Sequence, residues 1–195
     1  MPEVNPSVYF IGSGPGDPEL LTLKAARIIR TADVIIYADS LVNPEITKMA
    51  RPEAKIYTSA DRSLDEITEI MVPAARQGKT VARLQSGDPA LYGAIREQMA
   101  ALRAHGVTYA VIPGVSSLFA AAAQLGVELT APGLTQTVIV TRRAGRTPVP
   151  EAERLTALAA HGATLAIFLS VPQIVEVCAD LLAAGNAPET PVRVV

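Results

Sequence analysis

The chain has very few of the side chains that carry metal, redox or nucleophilic chemistry. It contains one cysteine, two histidines and no tryptophan among its 195 residues. Cys178 alone excludes an internal disulfide and a cysteine-rich metal centre, because each needs several thiols. His105 and His161 each precede a glycine and form no H-x-x-x-H or H-E-x-x-H pattern. A G-x-S-x-G nucleophile motif is also missing. We therefore predict neither a metal site nor a hydrolytic triad.

Long apolar runs and an excess of one charge are missing as well. No apolar stretch reaches the ~18 residues that a membrane span needs. The first six residues, Met-Pro-Glu-Val-Asn-Pro, lack the basic and apolar segments of a signal peptide. The net charge is −2, aromatic residues make up only 4% of the chain, and no basic run occurs. We predict a cytoplasmic protein that binds neither membranes nor nucleic acids.

Apolar runs of strand length alternate with segments of helical periodicity along the whole chain. This alternation is typical of an α/β protein with a mostly parallel sheet covered by helices. The predicted strands are 8–11, 34–37, 54–58, 79–84, 107–112, 137–141, 163–169 and 191–195. The predicted helices are 19–31, 64–77, 91–105, 118–125, 151–160 and 171–184, with a short one opening at Asn43 and Pro44. We expect Pro73 to kink or end its helix.

The composition changes after the fifth predicted strand and indicates two α/β domains, 1–115 and 116–195. Residues 118–125 form a helical segment of small side chains, and a second series of strands and helices follows. The last predicted strand, 191–195, has nothing after it. We therefore expect the second domain to be incomplete in this chain.

Three glycine-containing turns follow three of the predicted strands, at residues 12–18, 86–89 and 113–117. The carboxyl ends of parallel strands lie at one edge of a sheet, where ligands bind, so we expect these turns to lie together. Their polar side chains are carboxylates and hydroxyls without a lysine: Asp17, Asp88, Ser116 and Ser117. This set suits a ligand that carries hydroxyls, an amino group or a sulfonium. The alternative is that all three are ordinary helix-capping turns.

The first turn does not have the features of a nucleotide-phosphate loop. Its glycines follow G-x-G-x-G, and no Gly-Lys-Ser/Thr follows them. Phosphate loops use free N–H groups at a helix N-terminus. Here Pro15 and Pro18 lack that donor, and the carboxylate of Asp17 would repel an anion.

Arginines are grouped away from these turns. Three of them, Arg142, Arg143 and Arg146, lie within five residues after a predicted strand. Because guanidinium groups pair bidentately with carboxylates, this stretch is a candidate clamp for a polyanionic ligand, and a solvated loop is the alternative. Arg83 and Arg96 are candidates for the same role.

The motifs at the three turns, taken together, resemble those of the tetrapyrrole (precorrin) methyltransferase family. They read Gly-Ser-Gly-Pro-Gly-Asp-Pro-Glu-Leu-Leu-Thr (12–22), Leu-Gln-Ser-Gly-Asp-Pro (84–89) and Ile-Pro-Gly-Val-Ser-Ser (112–117). The similarity is greatest to the members that methylate C11 of precorrin-4. It is carried by Tyr-Ala-Asp-Ser-Leu-Val-Asn-Pro (37–44), Ser-Gly-Asp-Pro-Ala-Leu-Tyr-Gly (86–93) and Thr-Gln-Thr-Val-Ile-Val-Thr-Arg-Arg (135–143).

The resemblance implies two α/β domains, with S-adenosylmethionine in the cleft between them, and a cobalamin-pathway C-methylation that converts precorrin-4 to precorrin-5. The cofactor contacts that it implies are Pro15, Gly87, Asp88, Leu91, Ser116, Ser117 and Leu169. We expect the arginines to hold the acetate and propionate groups of the tetrapyrrole, and we assign no general base. Members of the family are usually homodimers, which implies the same for this chain.

Two differences separate the chain from the uroporphyrinogen III enzymes of the family. Those enzymes have an acid directly after the second-strand tyrosine, where this chain has Ala38, followed by Asp39. They also have a lysine after the third strand, where this chain reads Tyr-Thr-Ser-Ala (57–60). The alternatives kept open are methylation of cobalt-precorrin-4 or of uroporphyrinogen III, and a non-catalytic protein that binds a tetrapyrrole or the cofactor.

Overall fold

The computed structural model describes residues 6–145 and 147–195. The chain forms two compact units, Met1–Ala120 and Ala121–Val195, and each is described below by itself. The predicted domain boundary after residue 115 lies just before helix α4 (Ser117–Leu125), whereas the two units divide inside that helix.

The first unit is built on a five-stranded sheet in which every neighbouring pair of strands is parallel. The strands are β1 (Val8–Gly12), β2 (Val34–Tyr37), β3 (Lys55–Thr58), β4 (Val81–Gln85) and β5 (Tyr109–Ile112), in the spatial order β3-β2-β4-β1-β5. The helices are α1 (Leu23–Thr31), α2 (Leu64–Arg76) and α3 (Ile95–Ala104), with short 3₁₀ helices at Pro18–Leu20 and Pro44–Met49. The predicted α/β class with a parallel sheet is confirmed.

Both faces of this sheet are buried, because successive side chains of a strand point to opposite faces. On β1, Phe10 packs in the cluster that holds Met71 of α2 and Leu102 of α3. Ile11 packs on the other face, in the cluster that holds Ile29 of α1. The continuous apolar runs of β1 and β2 follow from this double cover by helices.

Helix α2 has its predicted extent to within one residue, but Pro73 does not end it, and helix α3 begins later than predicted. Helix α2 continues through Pro73 to Arg76, because Pro73 lies on its exposed face while Met71 and Ala75 hold the helix against the core. Helix α3 begins only at Ile95 rather than at residue 91, because Tyr92 and Ala94 have positive φ angles of 55° and 48°, which an α-helix does not accommodate.

The second unit contains two parallel strands, β6 (Val138–Arg142) and β7 (Thr164–Phe168). Helices α5 (Leu155–Ala159) and α6 (Ile174–Ala183) accompany them, with 3₁₀ helices at Glu151–Glu153 and Val171–Gln173. The small buried core of this unit includes Leu155, Ala159 and Val177. The predicted strand 191–195 is wrong: these residues are exposed and pair with no strand in the described ranges, and an apolar run becomes a strand only where a partner accepts its backbone hydrogen bonds.

None of the helices in the described ranges combines the length and the apolar character that crossing a bilayer requires.

Candidate functional site

The three glycine turns of the first unit meet backbone to backbone at the carboxyl edge of the sheet. A Cβ atom on Gly12 would lie 2.4 Å from the amide nitrogen of Gly114 and 2.8 Å from the carbonyl oxygen of Gly87. A Cβ atom on Gly114 would lie 2.3 Å from the same Gly87 oxygen. Side chains do not fit at either position, so glycine allows the three turns to approach each other. The sequence-based expectation that these turns lie together agrees with this geometry.

Main-chain hydrogen bonds hold the first turn to the second. The Gly87 amide donates to the Gly14 carbonyl at 2.7 Å, and the Gly14 amide donates back to the Gly87 carbonyl at 3.2 Å. Ser13, which is buried, donates both its amide and its hydroxyl to the Gln85 carbonyl, each at 2.8 Å. The turn 12–18 is therefore held to the second turn by an antiparallel bridge between Gly14 and Gly87, beyond the parallel pairing of β1 and β4, and Pro15 is exposed.

Asp88 connects the second turn to the third. Its Oδ2 accepts a hydrogen bond from the Gly114 amide at 2.9 Å, and its Oδ1 accepts one from the Ala90 amide at 2.8 Å. Both carboxylate oxygens are therefore used by the protein itself. This observation gives Asp88 a way to shape the site without touching a ligand.

The two serines lie beside the second turn. A Cβ atom on Gly87 would lie 3.6 Å from the Ser117 amide nitrogen and 3.7 Å from Ser116 Cα. Ser116 is buried, and its Oγ accepts a hydrogen bond from the Leu118 amide at 3.3 Å as α4 begins. The structure therefore brings Gly87, Asp88, Ser116 and Ser117 together, as predicted.

Sequence reasoning missed Asn43, which supports the first turn from the loop after β2. Its side-chain Nδ2 donates to the Gly16 carbonyl at 2.8 Å, while its Oδ1 caps the 3₁₀ helix through the Glu45 amide at 3.0 Å. The sequence does signal the capping bond to the Glu45 amide, because Asn directly precedes Pro44. No local pattern signals the bond to the Gly16 carbonyl, because Gly16 is distant from Asn43 in the sequence.

The segment after Asp88 is tightly folded and strained. The Leu91 amide donates to the Asp88 carbonyl at 3.2 Å. A Cβ atom on Gly93 would lie 2.4 Å from the Pro89 carbonyl oxygen. Gly93 stands between Tyr92 and Ala94, whose left-handed backbones are unfavourable for residues with a Cβ. Strain of this kind is concentrated at functional sites, and the role of Leu91 stays a prediction.

Arg83 is 6% exposed on β4 and forms no ion pair with a carboxylate of residues 6–145 or 147–195. Its Nη1 donates to the Leu84 carbonyl at 3.2 Å and to the Ile36 carbonyl at 3.4 Å. Its Nε donates to Gln98 Oε1 at 3.1 Å. Burial lowers the pKa of Arg83 to about 10, so the guanidinium remains charged at neutral pH.

The remaining predicted arginines have different surroundings. Arg96 is exposed on α3, and its side chain makes no hydrogen bond or ion pair within the described part of the chain. The guanidinium of Arg142 donates to the carbonyls of Thr147 at 2.9 Å and Pro148 at 3.0 Å. Arg143 forms an ion pair with Asp180, at 2.7 Å. Arg146 lies outside the described residues.

Leu169, the predicted cofactor residue of the second unit, follows β7 directly. It has a positive φ of 56°, and its side chain is 67% exposed. The residue after it, Ser170, is buried. The sequence gives no signal for this conformation, which glycine would adopt more readily.

The turns of the first unit suit a ligand such as S-adenosylmethionine by their chemistry. Their side chains supply hydroxyls and carboxylates with no lysine or arginine, so a sulfonium would not be repelled. Within residues 6–145 and 147–195, no group of three or more metal-ligating side chains forms a metal site.

A family model and several named relatives match the chain. The family model for the tetrapyrrole (corrin/porphyrin) methylases matches residues 7–195. A cobalt-precorrin-4 C(11)-methyltransferase of Methanocaldococcus jannaschii is 53% identical over 98% of this chain and 74% of its own length. A precorrin-4 C(11)-methyltransferase of Pseudomonas aeruginosa is 47% identical over 97% of this chain and 75% of its own length.

Two solved structures have the same fold. The X-ray structure of a cobalt precorrin-4 methyltransferase, a cobalamin biosynthetic enzyme, matches with a TM-score of 0.88 at 49% identity, covering 91% of this chain and 74% of its own. A uroporphyrin-III C-methyltransferase of Thermus thermophilus, complexed with S-adenosylhomocysteine, matches with a TM-score of 0.75 at 34% identity. The match covers 93% of this chain and 73% of the Thermus thermophilus chain. The predicted fold and enzyme class are confirmed. The chain belongs to the tetrapyrrole (corrin/porphyrin) methylases.

Proposed function

We propose that this chain transfers a methyl group from S-adenosylmethionine to C11 of precorrin-4, or of its cobalt complex, in cobalamin biosynthesis. The observation that carries the proposal is the 53% identity, over 98% of the chain, to a relative named for this reaction. The carbon, methyl and sulfur atoms must be aligned, and the interlocked turns around Gly12, Gly87 and Gly114 supply a rigid edge for that purpose.

The proposed cofactor site contains the residues that the motifs assigned. They are Pro15, Gly87, Asp88, Leu91, Ser116, Ser117 and Leu169. A neighbouring structure complexed with S-adenosylhomocysteine supports this assignment. Asp88 acts by holding the Gly114 amide and the Ala90 amide, and Ser116 and Ser117 offer hydroxyls next to Gly87.

Catalysis in this proposal is mostly positioning. When bound, S-adenosylmethionine supplies an electrophilic methyl group on a sulfonium, and C11 of the reduced tetrapyrrole is an electron-rich carbon. Correct orientation of two reactants contributes about 7–11 kcal/mol in well-aligned systems. The task of the protein is then to hold both molecules and exclude water, and no general base is assigned.

The substrate carboxylates are held by arginines in this proposal. Arg83 offers a buried cation that no carboxylate of the described residues neutralises, and Arg96 offers an exposed one without an internal partner. Arg142, Arg143 and Arg146 were predicted to share this role. Asp180 already neutralises the guanidinium of Arg143. No carboxylate of the described residues pairs with Arg83, Arg96 or Arg142, so we assign the substrate contacts to these three before Arg143.

The cobalt-bound substrate is the second candidate. The relatives named for cobalt-precorrin-4 are 53% and 49% identical to this chain, and one named for precorrin-4 is 47% identical. Uroporphyrinogen III is less well supported, because the Thermus thermophilus uroporphyrin-III enzyme is 34% identical.

The assembly and location of the protein belong to the same proposal. By resemblance to the family, the protein is a cytoplasmic homodimer. Apolar Phe119 on α4 is 62% exposed, which is compatible with a subunit interface. Light scattering during size-exclusion chromatography tests the dimer, and a monomer at micromolar concentration would contradict it.

The experiment that tests the reaction is anaerobic transfer of a labelled methyl group from S-adenosylmethionine, with precorrin-4, cobalt-precorrin-4 and uroporphyrinogen III offered in parallel. We expect label in one or both precorrin-4 substrates. Label in uroporphyrinogen alone would overturn the substrate assignment. Binding of S-adenosylhomocysteine without any transfer would favour a binding protein.

A further inference from the structure

Leu169 has a backbone conformation that leucine rarely adopts without support. Its φ of 56° lies in the left-handed region, where Cβ is crowded by the chain. Its side chain is 67% exposed, so burial of its own apolar surface does not compensate for the strain. Such a conformation persists only where neighbouring groups fix it.

Ser170 supplies one of these constraints. It is 3% exposed, and its Oγ donates to the Phe168 carbonyl at 2.7 Å and accepts from the Arg143 amide at 2.9 Å. The hydroxyl therefore spans Leu169 and ties the end of β7 to the residue that follows β6.

The side chain of Arg143 supplies the second constraint. Its Nε donates to Asp180 Oδ2 on α6 at 2.7 Å, and its Nη1 donates to Gln173 Oε1 at 2.7 Å. Asp180 is about one-third exposed, so the ion pair is only partly accessible to solvent. Arg143 thus connects the ends of both strands to the segment that follows Leu169.

We propose that Arg143 is a positioning residue for cofactor binding, which acts with Ser170 and Asp180 to hold the backbone of Leu169 in its left-handed conformation. This inference rests on the proposed function, in which Leu169 contacts S-adenosylmethionine. It gives Arg143 a role different from the substrate clamp that its place among three arginines suggested.

The test compares Arg143→Ala with Arg154→Ala in the full chain. Arg154 forms an exposed ion pair with Glu151 in the same unit and serves as the control. We expect Arg143→Ala to weaken S-adenosylhomocysteine binding, measured by calorimetry, at least tenfold. The KM of the tetrapyrrole should change less than twofold, and Arg154→Ala should leave both values unchanged. Circular dichroism shows whether Arg143→Ala folds. If it does not, Asp180→Asn gives the same test.

A Leu169→Gly variant serves as a second genetic background. It distinguishes a positioning role of Arg143 from a general loss of structure. Glycine adopts the left-handed conformation without support, so Arg143→Ala should weaken cofactor binding much less when added to Leu169→Gly than when added to the wild type. Equal losses in both backgrounds would overturn the proposal. So would a raised tetrapyrrole KM with unchanged cofactor affinity, which is the result that a substrate clamp gives. If the wild type itself binds no S-adenosylhomocysteine, the proposed function fails, and the cofactor role of Arg143 fails with it.

Discussion

Gly12 and Gly114 contact each other through their backbones, so that a Cβ atom on Gly114 would lie 2.7 Å from Cα of Gly12. Gly12 ends β1, and Gly114 lies in the turn after the neighbouring strand β5. Gly87, in the turn after β4, closes the same contact. This contact fixes the relative positions of the three turns that the proposed cofactor site uses. The following predictions test how the site depends on it.

Gly114→Ala should separate the turns. The added methyl group overlaps the Gly87 carbonyl oxygen, and overpacking of this kind costs about 1–3 kcal/mol. We expect at least a tenfold loss of S-adenosylhomocysteine affinity by calorimetry. The control is Gly106→Ala, at a positive φ of 68° with no atom within 4 Å of the new Cβ. It should lower the melting temperature and leave the affinity unchanged. Equal affinities for wild type and Gly114→Ala would contradict the role of this contact.

Asp88→Ala should weaken cofactor binding through the main chain. It leaves the part-buried Gly114 amide without its acceptor, which costs about 1–3 kcal/mol, whereas water can replace the acceptor of the exposed Ala90 amide. Asp88→Asn, which keeps one acceptor oxygen, should give an intermediate affinity. Ser63→Ala removes an N-cap bond from α2 and costs about 1 kcal/mol away from the site. If calorimetry shows that Asp88→Ala and Ser63→Ala bind S-adenosylhomocysteine equally well, Asp88 does not organise the site.

Ala94→Gly should stabilise the protein, because glycine removes the steric cost of a φ of 48°. After the added freedom of the unfolded chain is subtracted, the expected gain is about 0.5–1 kcal/mol. That gain corresponds to a melting temperature about 2 °C higher. Ala100→Gly, exposed within α3, is the matched control and should lower the melting temperature by a similar amount. A decrease with both variants would show that Ala94 is not strained.

Arg83→Met should impair tetrapyrrole binding more than folding. Burial lowers the pKa of Arg83 to about 10 in the folded protein. Below that pH the guanidinium is charged in the folded and the unfolded states, and its burial destabilises the fold by a constant amount. The free energy of unfolding rises only when the pH passes from about 10 towards the pKa of arginine in the unfolded chain. Methionine removes this cost, and the carbonyls of Ile36 and Leu84 and the Oε1 of Gln98 lose the guanidinium as their donor. We expect these effects to offset each other to within about 2 kcal/mol.

The kinetic result separates the two roles of Arg83. The tetrapyrrole KM of Arg83→Met should rise about tenfold, the strength of one charged hydrogen bond. S-adenosylhomocysteine affinity should stay within twofold, and Arg27→Met on the exposed face of α1 should change neither value. In the wild type, the contribution of Arg83 to KM should be constant from pH 7 to 9, because the group remains protonated. An unchanged KM in Arg83→Met would remove it from the substrate site.

Short-range patterns predicted most of the secondary structure. The run 34–37 is continuously apolar and follows the charged Asp33, and it forms β2 with those bounds. The run 191–195 contains three valines and forms no strand, because strand formation depends on a partner that the run itself does not specify. Helical periodicity also predicted that α3 begins at residue 91, before its observed start at Ile95. Periodicity does not reveal the left-handed backbones of Tyr92 and Ala94.

The sequence by itself determined the chemistry of the site: the glycines, carboxylates and hydroxyls that follow parallel strands, and the family to which their motifs belong. Only the tertiary structure decided which side chains remain available for a ligand. Arg83 and Arg96 look alike in the sequence, yet one is buried on β4 and the other is exposed on α3. Asp88 and Arg143 are held by groups distant in sequence, Gly114 and Asp180. Local patterns cannot predict such bonds, because their partners are brought together only when the chain folds.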